Sequence, residues 1–358
     1  MIKEICVIGH PSYFGGADTE ILDQIKCWHK MGIKIYICHT GLITKQYLDM
    51  NLEKKYGCIY LKPRQWNEVK DMHCISYCNG EFLKNLHFIK KYARSATFVN
   101  CMTWNFQKEI ECQSKGLIDF HLYQTQHAFE KISTNLKHLN SYRPVFIKPH
   151  FDHLYFPYHK NRKNDHFRFG KISRCDLQKF HPDQMKIYDS IDSPVLKSGV
   201  ILGYAKRLDN KLGIKKTDIE KISHLNREEI FYKKYIQLIE EGGILQQQFY
   251  DFCDVLISAA QTFENLPRIG FESMASGSIL VVDNRGGWKL QVDHGVTGYL
   301  CDSTEDFIKY SSFLAHNKEL KEEIRWNAYN KLEREWGLEE SMKSWYMFFK
   351  KLEEFKCG

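Results

Sequence analysis

The sequence predicts an α/β fold made of two domains, each a Rossmann-like, doubly wound parallel sheet, with a ligand cleft between them. Three observations predict it. The chain has 358 residues, more than a single ordinary core organises. Short apolar runs alternate with segments of helical patterning, as strands joined by helical crossovers do. The same alternation restarts after a polar, proline-containing stretch at 156–165, which reads as a linker.

The first half carries strand-like runs at 5–9, 33–38, 74–77, 97–100, 121–123 and 145–148. Helical segments of about 10–20 residues separate most of them. The second half repeats the pattern with runs at 167–172, 199–204, 254–258, 279–283 and 298–301, and from about residue 306 onward it is helical. The last helix sets Trp345, Phe348, Phe349, Leu352 and Phe355 on one face, which marks a core contact rather than a membrane span. These boundaries give an N-terminal domain at 1–160, a C-terminal domain at 161–337 and a final helix at 338–358. In sheets of this kind ligands sit at the carboxyl ends of the strands.

Composition narrows the function classes. Hydrophobic residues make up 43% and charged residues 27%, the balance of a folded soluble chain. No apolar run reaches about 18 residues, and the N-terminus opens on a strand rather than a secretory signal. A cytoplasmic protein, soluble or peripheral at a membrane, is expected. Twelve cysteines occur without a CxxC pair; several, including Cys6, Cys38 and Cys253, lie in apolar runs and read as reduced core thiols. The net charge of +7 is uneven: residues 1–162 carry 22 Lys and Arg against 14 Asp and Glu, net +8, and the remainder 29 against 30. A basic half suits an anionic substrate or a membrane surface. No basic run with interleaved aromatics or zinc-finger spacing points to nucleic acid.

Several common motifs are absent. No GxGxxG comes after the first strand, and neither GxxxxGK[ST] nor GxSxG occurs, which argues against standard dinucleotide dehydrogenases, P-loop NTPases and α/β-hydrolases. No Asp-x-Asp pair is present to clamp a divalent metal on a diphosphate. The first strand instead leads into a turn with Gly15 and Gly16 that opens a helix, where backbone N–H groups can approach an anion. In the second half, residues 262–277 read Thr-Phe-Glu-Asn-Leu-Pro-Arg-Ile-Gly-Phe-Glu-Ser-Met-Ala-Ser-Gly and run from a strand into a helix. Asn265 is the expected N-cap there, with Pro267 in the first turn. Gly286-Gly287 and the segment 294–300, His-Gly-Val-Thr-Gly-Tyr-Leu, come downstream.

At these residues the chain resembles glycosyltransferase family 4, retaining enzymes of the GT-B fold. Glu264 and Glu272 match that family's E-x7-E, and the Gly-Gly, the Gly-x-Thr-Gly-x-Leu segment and the N-terminal Gly15-Gly16 turn match as well. Arg174 and Lys179 match its Arg-x4-Lys pair, and Asp152 and Phe156 its interdomain Asp-x3-Phe. The resemblance spans roughly residues 5–302 and implies that the last helix packs back on the first domain. It implies transfer of a hexose from a nucleotide-diphosphate sugar to a glycan, glycolipid or glycoprotein, with retention, without a cofactor and without a metal. The first choice of donor is GDP-mannose; UDP-glucose or another UDP-sugar is the alternative. Catalysis would rest on Glu264, Arg174 and Lys179. Donor binding would add Gly15, Gly16, Asn265, Leu266, Pro267, Arg268 and Glu272. Arg174 and Lys179 would neutralise the diphosphate, Glu272 would accept from the ribose hydroxyls, and Glu264 with the 265–268 backbone would hold the sugar. A departure stands at 98–104, Phe-Val-Asn-Cys-Met-Thr-Trp, where the family places a His; His127 and His150 are the candidate substitutes. Peripheral membrane association and a homodimer are the further partner expectations. The rival readings are a GT-B epimerase and a non-catalytic nucleotide-sugar-binding module. The base-reading segment is expected at 244–249.

Overall fold

A computed structural model describes residues 2–13, 15–40, 50–160, 162, 165–215, 217, 220–223 and 229–355. The chain forms two compact units, Met1–Asp152 with Glu335–Gly358, and His153–Arg334. Among the described residues no helix is long and apolar enough to cross a membrane.

The first unit holds a seven-stranded parallel sheet in the order β3-β2-β1-β4-β5-β6-β7. Its strands are β1 (Glu4–Gly9), β2 (Lys34–His39), β3 (Ile59–Leu61), β4 (His73–Tyr77), β5 (Ser95–Val99), β6 (Phe120–Tyr123) and β7 (Pro144–Phe146). β3 lies outside the expected set: three partly exposed residues carry too little apolar pattern to announce an edge strand. Period-two alternation feeds two cores. Ile5, Val7, Ile35, Ile37 and Ile75 point to one face, and Cys6, Ile8, Cys38, Cys74 and Phe98 to the other. The first face is closed by the last helix, Leu338–Glu354, whose Trp345, Phe348, Phe349 and Leu352 are buried. Trp345 packs edge-on against Trp28 at 4.9 Å and donates its indole N–H to Gln24 Oε1 at 2.8 Å. The cysteines are free thiols among the described residues.

The second unit holds β8 (His166–Ile172), β9 (Leu196–Tyr204), β10 (Glu220–Ser223), β11 (Glu229–Lys233), β12 (Ile236–Glu240), β13 (Val255–Ser258), β14 (Ile279–Asp283) and β15 (Gly298–Cys301). The sheet order is β10-β11-β12-β9-β8-β13-β14-β15. The six strands from β12 to β15 run parallel, and β10 and β11 extend that sheet antiparallel. Three of these strands, β10 to β12, fall outside the expected set. Charged residues at 220, 221, 229, 233 and 240 interrupt the apolar runs there.

Two local expectations are corrected. The stretch 156–165 is not a free linker where described. Phe156 meets the Tyr250 ring edge-on at 5.7 Å, and the His159 N–H donates to Ser276 O at 3.1 Å. Arg162, its side chain 6% exposed, donates to the carbonyls of Tyr250 (2.7 Å), Cys253 (2.9 Å) and Ser276 (2.9 Å). One guanidinium thus satisfies carbonyls at two helix ends, which binds the polar stretch to the second unit. Asn265 is not the N-cap either: the helix runs Arg268–Ser276, and Pro267 is the cap residue with φ −70° and ψ 116°. A proline drives the residue before it out of the helical region, so Leu266 cannot begin the helix.

Candidate functional site

Sheet order locates the ligand edge of each unit. In the second sheet the order reverses between β8 and β13, and a crevice opens outside the carboxyl ends of strands at such a switch point. The loops leaving these two strands carry the sequence-predicted residues. Lys179 follows β8 and donates through Nζ to Glu264 Oε1, in the loop after β13. Both side chains are about one-fifth to one-quarter exposed, so the pair is reachable but not diluted by bulk water. Arg174 lies on the same β8 loop and is exposed, with no side-chain partner among the described residues. It is near Lys179 in sequence, but no contact joins the two.

Glu272 sits inside the helix Arg268–Ser276 and is buried. The Tyr250 hydroxyl donates to its Oε2 at 3.0 Å. Burial pushes the Tyr250 phenol well up, and the nearby Glu272 carboxylate pushes it further, so this hydroxyl stays a donor. Tyr250 belongs to the helix Gln246–Phe252 after β12, so part of the expected base-reading segment 244–249 begins the helix that supports Glu272.

Gly286 and Gly287 have a geometric reason. The Gly287 N–H donates to Glu264 O at 2.9 Å, so the loop after β14 rests directly on the Glu264–Asn265 backbone. A Cβ at Gly286, where φ is +59°, would lie 2.4 Å from Glu264 O; one at Gly287 would lie 1.7 Å from Asn265 O. Only glycine allows that approach. Arg285 continues the contact, with its guanidinium 5.5 Å from the Phe263 ring centroid and donating to Ala260 O. Asp283 accepts from the Ala260 N–H at 2.9 Å. Leu266 and Arg268 stand in the same turn, flanking the cap at Pro267. Beside Asp283 and Arg285 a cavity of about 180 Å³ opens at the ends of β14 and β15, walled also by His181, Asn284, Asp302 and Thr304.

Sequence patterning does not single out Lys171. It lies in β8, 1% exposed, and its Nζ donates to Ser258 Oγ at 3.2 Å and Ala259 O at 2.9 Å. Burial lowers this ammonium to about 8, opposed by the carboxylates of Asp283 and Glu264 and reinforced by Lys179. A buried ammonium thus bridges β8 to the end of β13 at the switch point. The signal available in the sequence is a lysine inside an otherwise strand-forming run.

In the first unit the order reverses between β1 and β4. After β1, Gly15 has φ +87° and caps the helix Gly16–Lys30, so Gly16 is its first residue. A left-handed cap residue explains the glycine, and the first turn, without a side-chain cap, presents N–H donors. Asn100, in the 98–104 stretch where the resemblance expects a His, is buried and bonded to Glu109 at 2.9 Å. His150 is buried, its backbone N–H donating to Gln24 Oε1 at 3.1 Å, and His127 is half-buried in the helix Gln126–Ile132. Of the interdomain pair, Asp152 forms an ion pair with Lys26 at 2.6 Å and Phe156 packs on Tyr250.

Residues 222–331 match the model of the glycosyl transferases group 1 family. That segment contains Glu264, Glu272 and the Gly286-Gly287 contact. Among curated proteins, the chain is 26% identical over 136 residues to spore coat protein SA of Bacillus subtilis, covering 38% of this chain and 31% of that protein. It is 34% identical over 87 residues to YtcC of the same organism, 24% of this chain and 19% of that protein. The chain therefore matches less than a third of the length of either relative. Solved structures align over nearly all of it. Anabaena HepE in complex with UDP-glucose aligns at TM-score 0.65 and 14% identity, over 97% of this chain and 99% of that one. TarM aligns at 0.72 and 12%, over 98% and 99%. Sucrose-phosphate synthase from Thermosynechococcus elongatus aligns at 0.69 and 9%, over 98% and 99%. The fold is GT-B, and residues 222–331 of the second unit are similar to the group 1 glycosyl transferases.

Proposed function

We propose that this chain is a retaining glycosyltransferase of family 4 that moves a hexose from a nucleotide-diphosphate sugar to a carbohydrate or glycolipid acceptor. The observation that carries this reading is the Lys179–Glu264 pair at the switch point of the second sheet, with Glu272 eight residues beyond Glu264. A leaving diphosphate gains negative charge as the glycosidic bond breaks, and fixed cations or aimed N–H donors stabilise that charge. Lys179 and the exposed Arg174 offer positive charge from the β8 loop, and the Gly16 N–H, at the head of its helix, is a donor suited to an anion. No metal and no cofactor enters the reading. Glu264 is held from behind by Gly287 and in front by Lys179, so its carboxylate has a defined position for the hexose. Glu272 accepts from the ribose hydroxyls, with Tyr250 fixing its orientation.

GDP-mannose is the donor favoured by how often proteins with this motif set transfer mannose. HepE was solved with UDP-glucose and an S. aureus TarM variant with UDP, which supports a UDP-sugar equally. A calorimetric titration with a panel containing GDP-mannose, UDP-glucose and UDP-N-acetylglucosamine decides between them. Release of nucleoside diphosphate from the bound donor, undiminished by EDTA, supports a metal-independent transferase. Binding with no turnover in water or with any acceptor supports the non-catalytic module instead. An inverted anomeric product removes the family 4 reading.

A further inference from the structure

The loop after β5 presents a feature that donor binding does not use. Trp104 is 55% exposed, an unusual position for the largest apolar side chain. Its backbone is not loose. Asn100, at the end of β5 and fully buried, donates through Nδ2 to Trp104 O at 3.1 Å and to Glu109 Oε2 at 2.9 Å. Its Oδ1 accepts from the Met102 N–H at 2.8 Å. Glu109, also fully buried, accepts from the Phe106 N–H at 3.1 Å, and its other oxygen lies 3.4 Å from His121 Nε2. The Cys101 N–H donates to Cys78 Sγ at 3.0 Å, and Asn135 donates to Asn105 Oδ1 at 3.0 Å. The segment from Asn100 to Phe106 is therefore fastened at both ends while the indole stays in solvent, its ring 6.4 Å from that of Phe106.

The loop leaves the carboxyl end of β5, one strand from the switch point of the first sheet. Polar side chains stand at the ends of the neighbouring strands: Asn79, which donates to Thr40 at 2.8 Å, and Gln124, which donates to Glu20. A flat, exposed indole on a fastened backbone suits a pyranose ring, because the C–H face of a sugar lies against the electron-rich face of an aromatic. Ordering cost is small because the loop is already fixed. We propose that Trp104 is the stacking platform for a pyranose of the acceptor, held in place by the buried Asn100–Glu109 pair. That the sugar is an acceptor rests on the transferase reading; the sugar contact itself does not.

The test uses the full chain and two variants, Trp104→Ala and Trp104→Phe, on an array of immobilised mono- and oligosaccharides, with UDP-glucose and GDP-mannose calorimetry run in parallel. The unsubstituted chain is expected to retain a subset of the glycans. Trp104→Ala should lose roughly ten-fold or more of that binding, and Trp104→Phe should keep most of it, because a ring is restored. Donor affinity should be the same in all three. Equal glycan retention by Trp104→Ala overturns the proposal, as does an array on which the unsubstituted chain captures nothing. Trp104-dependent glycan capture without any nucleotide-sugar heat leaves the stacking site standing and removes the transferase reading.

Discussion

Removing Glu264 leaves the Lys179 ammonium without the carboxylate it donates to, whereas removing Glu272 takes a charged acceptor from a buried tyrosine hydroxyl. The two glutamates therefore fail differently. Lys179→Ala is expected to lower kcat/KM by roughly 10- to 100-fold, the worth of one charge-assisted hydrogen bond that strengthens as charge develops. Glu264→Ala should lower kcat more than donor affinity, and Glu272→Ala should weaken donor binding first; steady-state kinetics with calorimetry separates them. Lys171 gives a pH signature. Folded, it holds its proton only up to about 8; unfolded, up to its ordinary 10.5. Between those values the unfolded chain binds more protons, so the lysine's contribution to stability rises with pH and is lost again as pH falls through about 8. Urea unfolding at pH 7.5 and 10 should show the native chain gaining on Lys171→Met by about 2 kcal/mol. No gain would mean the ammonium is not buried as described. Glu264 and Glu272 were legible because their eight-residue spacing is a local fact. Lys171 was not, because its partners Ser258 and Ala259 come from a strand more than eighty residues away, and only the β8–β13 pairing brings them together.

At the level of elements, the loops after β13 and β14 act as one body because Gly286 and Gly287 let their backbones touch. Gly287→Ala places a methyl group where Asn265 O now stands, so the two loops must separate. Loss of more than about 2 kcal/mol of stability, or a loosened site with at least roughly ten-fold lower turnover, is expected; the overpacking has nowhere to relax except the segment that carries Glu264. Thermal unfolding and activity measured together check this, and a variant equal to the native chain in both would show that the contact is dispensable. Strands buried on both faces were legible from their unbroken apolar runs: β1, β13 and β14 are such cases. β10 to β12 were hidden because charged residues punctuate them. Their place is set by successive pairing, β12 on β9, β11 on β12 and β10 on β11, rather than by their own pattern. The start of the helix at Arg268 is hidden for another reason: a capping side chain at Asn265 signals one start, and the constraint that Pro267 puts on its predecessor enforces a later one.

For the molecule as a whole, the restart of the strand–helix alternation made two units legible, and most of the basic excess in residues 1–162 belongs to the first. If that charge draws an anionic acceptor, KM for the acceptor should rise several-fold between about 20 and 200 mM salt while donor affinity changes less. A flat acceptor KM would make the charge a solvated surface. The exposed aromatic at Trp104 could not be recognised from sequence, since a tryptophan in an irregular segment carries no periodicity that tells inside from outside.

The return of residues 335–358 to the first unit has a consequence for the order of manufacture. Trp28 leaves a ribosome more than three hundred residues before Trp345, which covers it. Of the two units, the one begun first is thus finished second, while 153–334 forms a complete body in the interval. At ordinary synthesis rates the gap is on the order of ten seconds or more, during which the nascent first sheet has one uncovered apolar face. Translation arrested before residue 337 should leave a chain whose second unit is protease-resistant and whose first unit is bound by chaperones of nascent chains, and release of the last helix should end that binding.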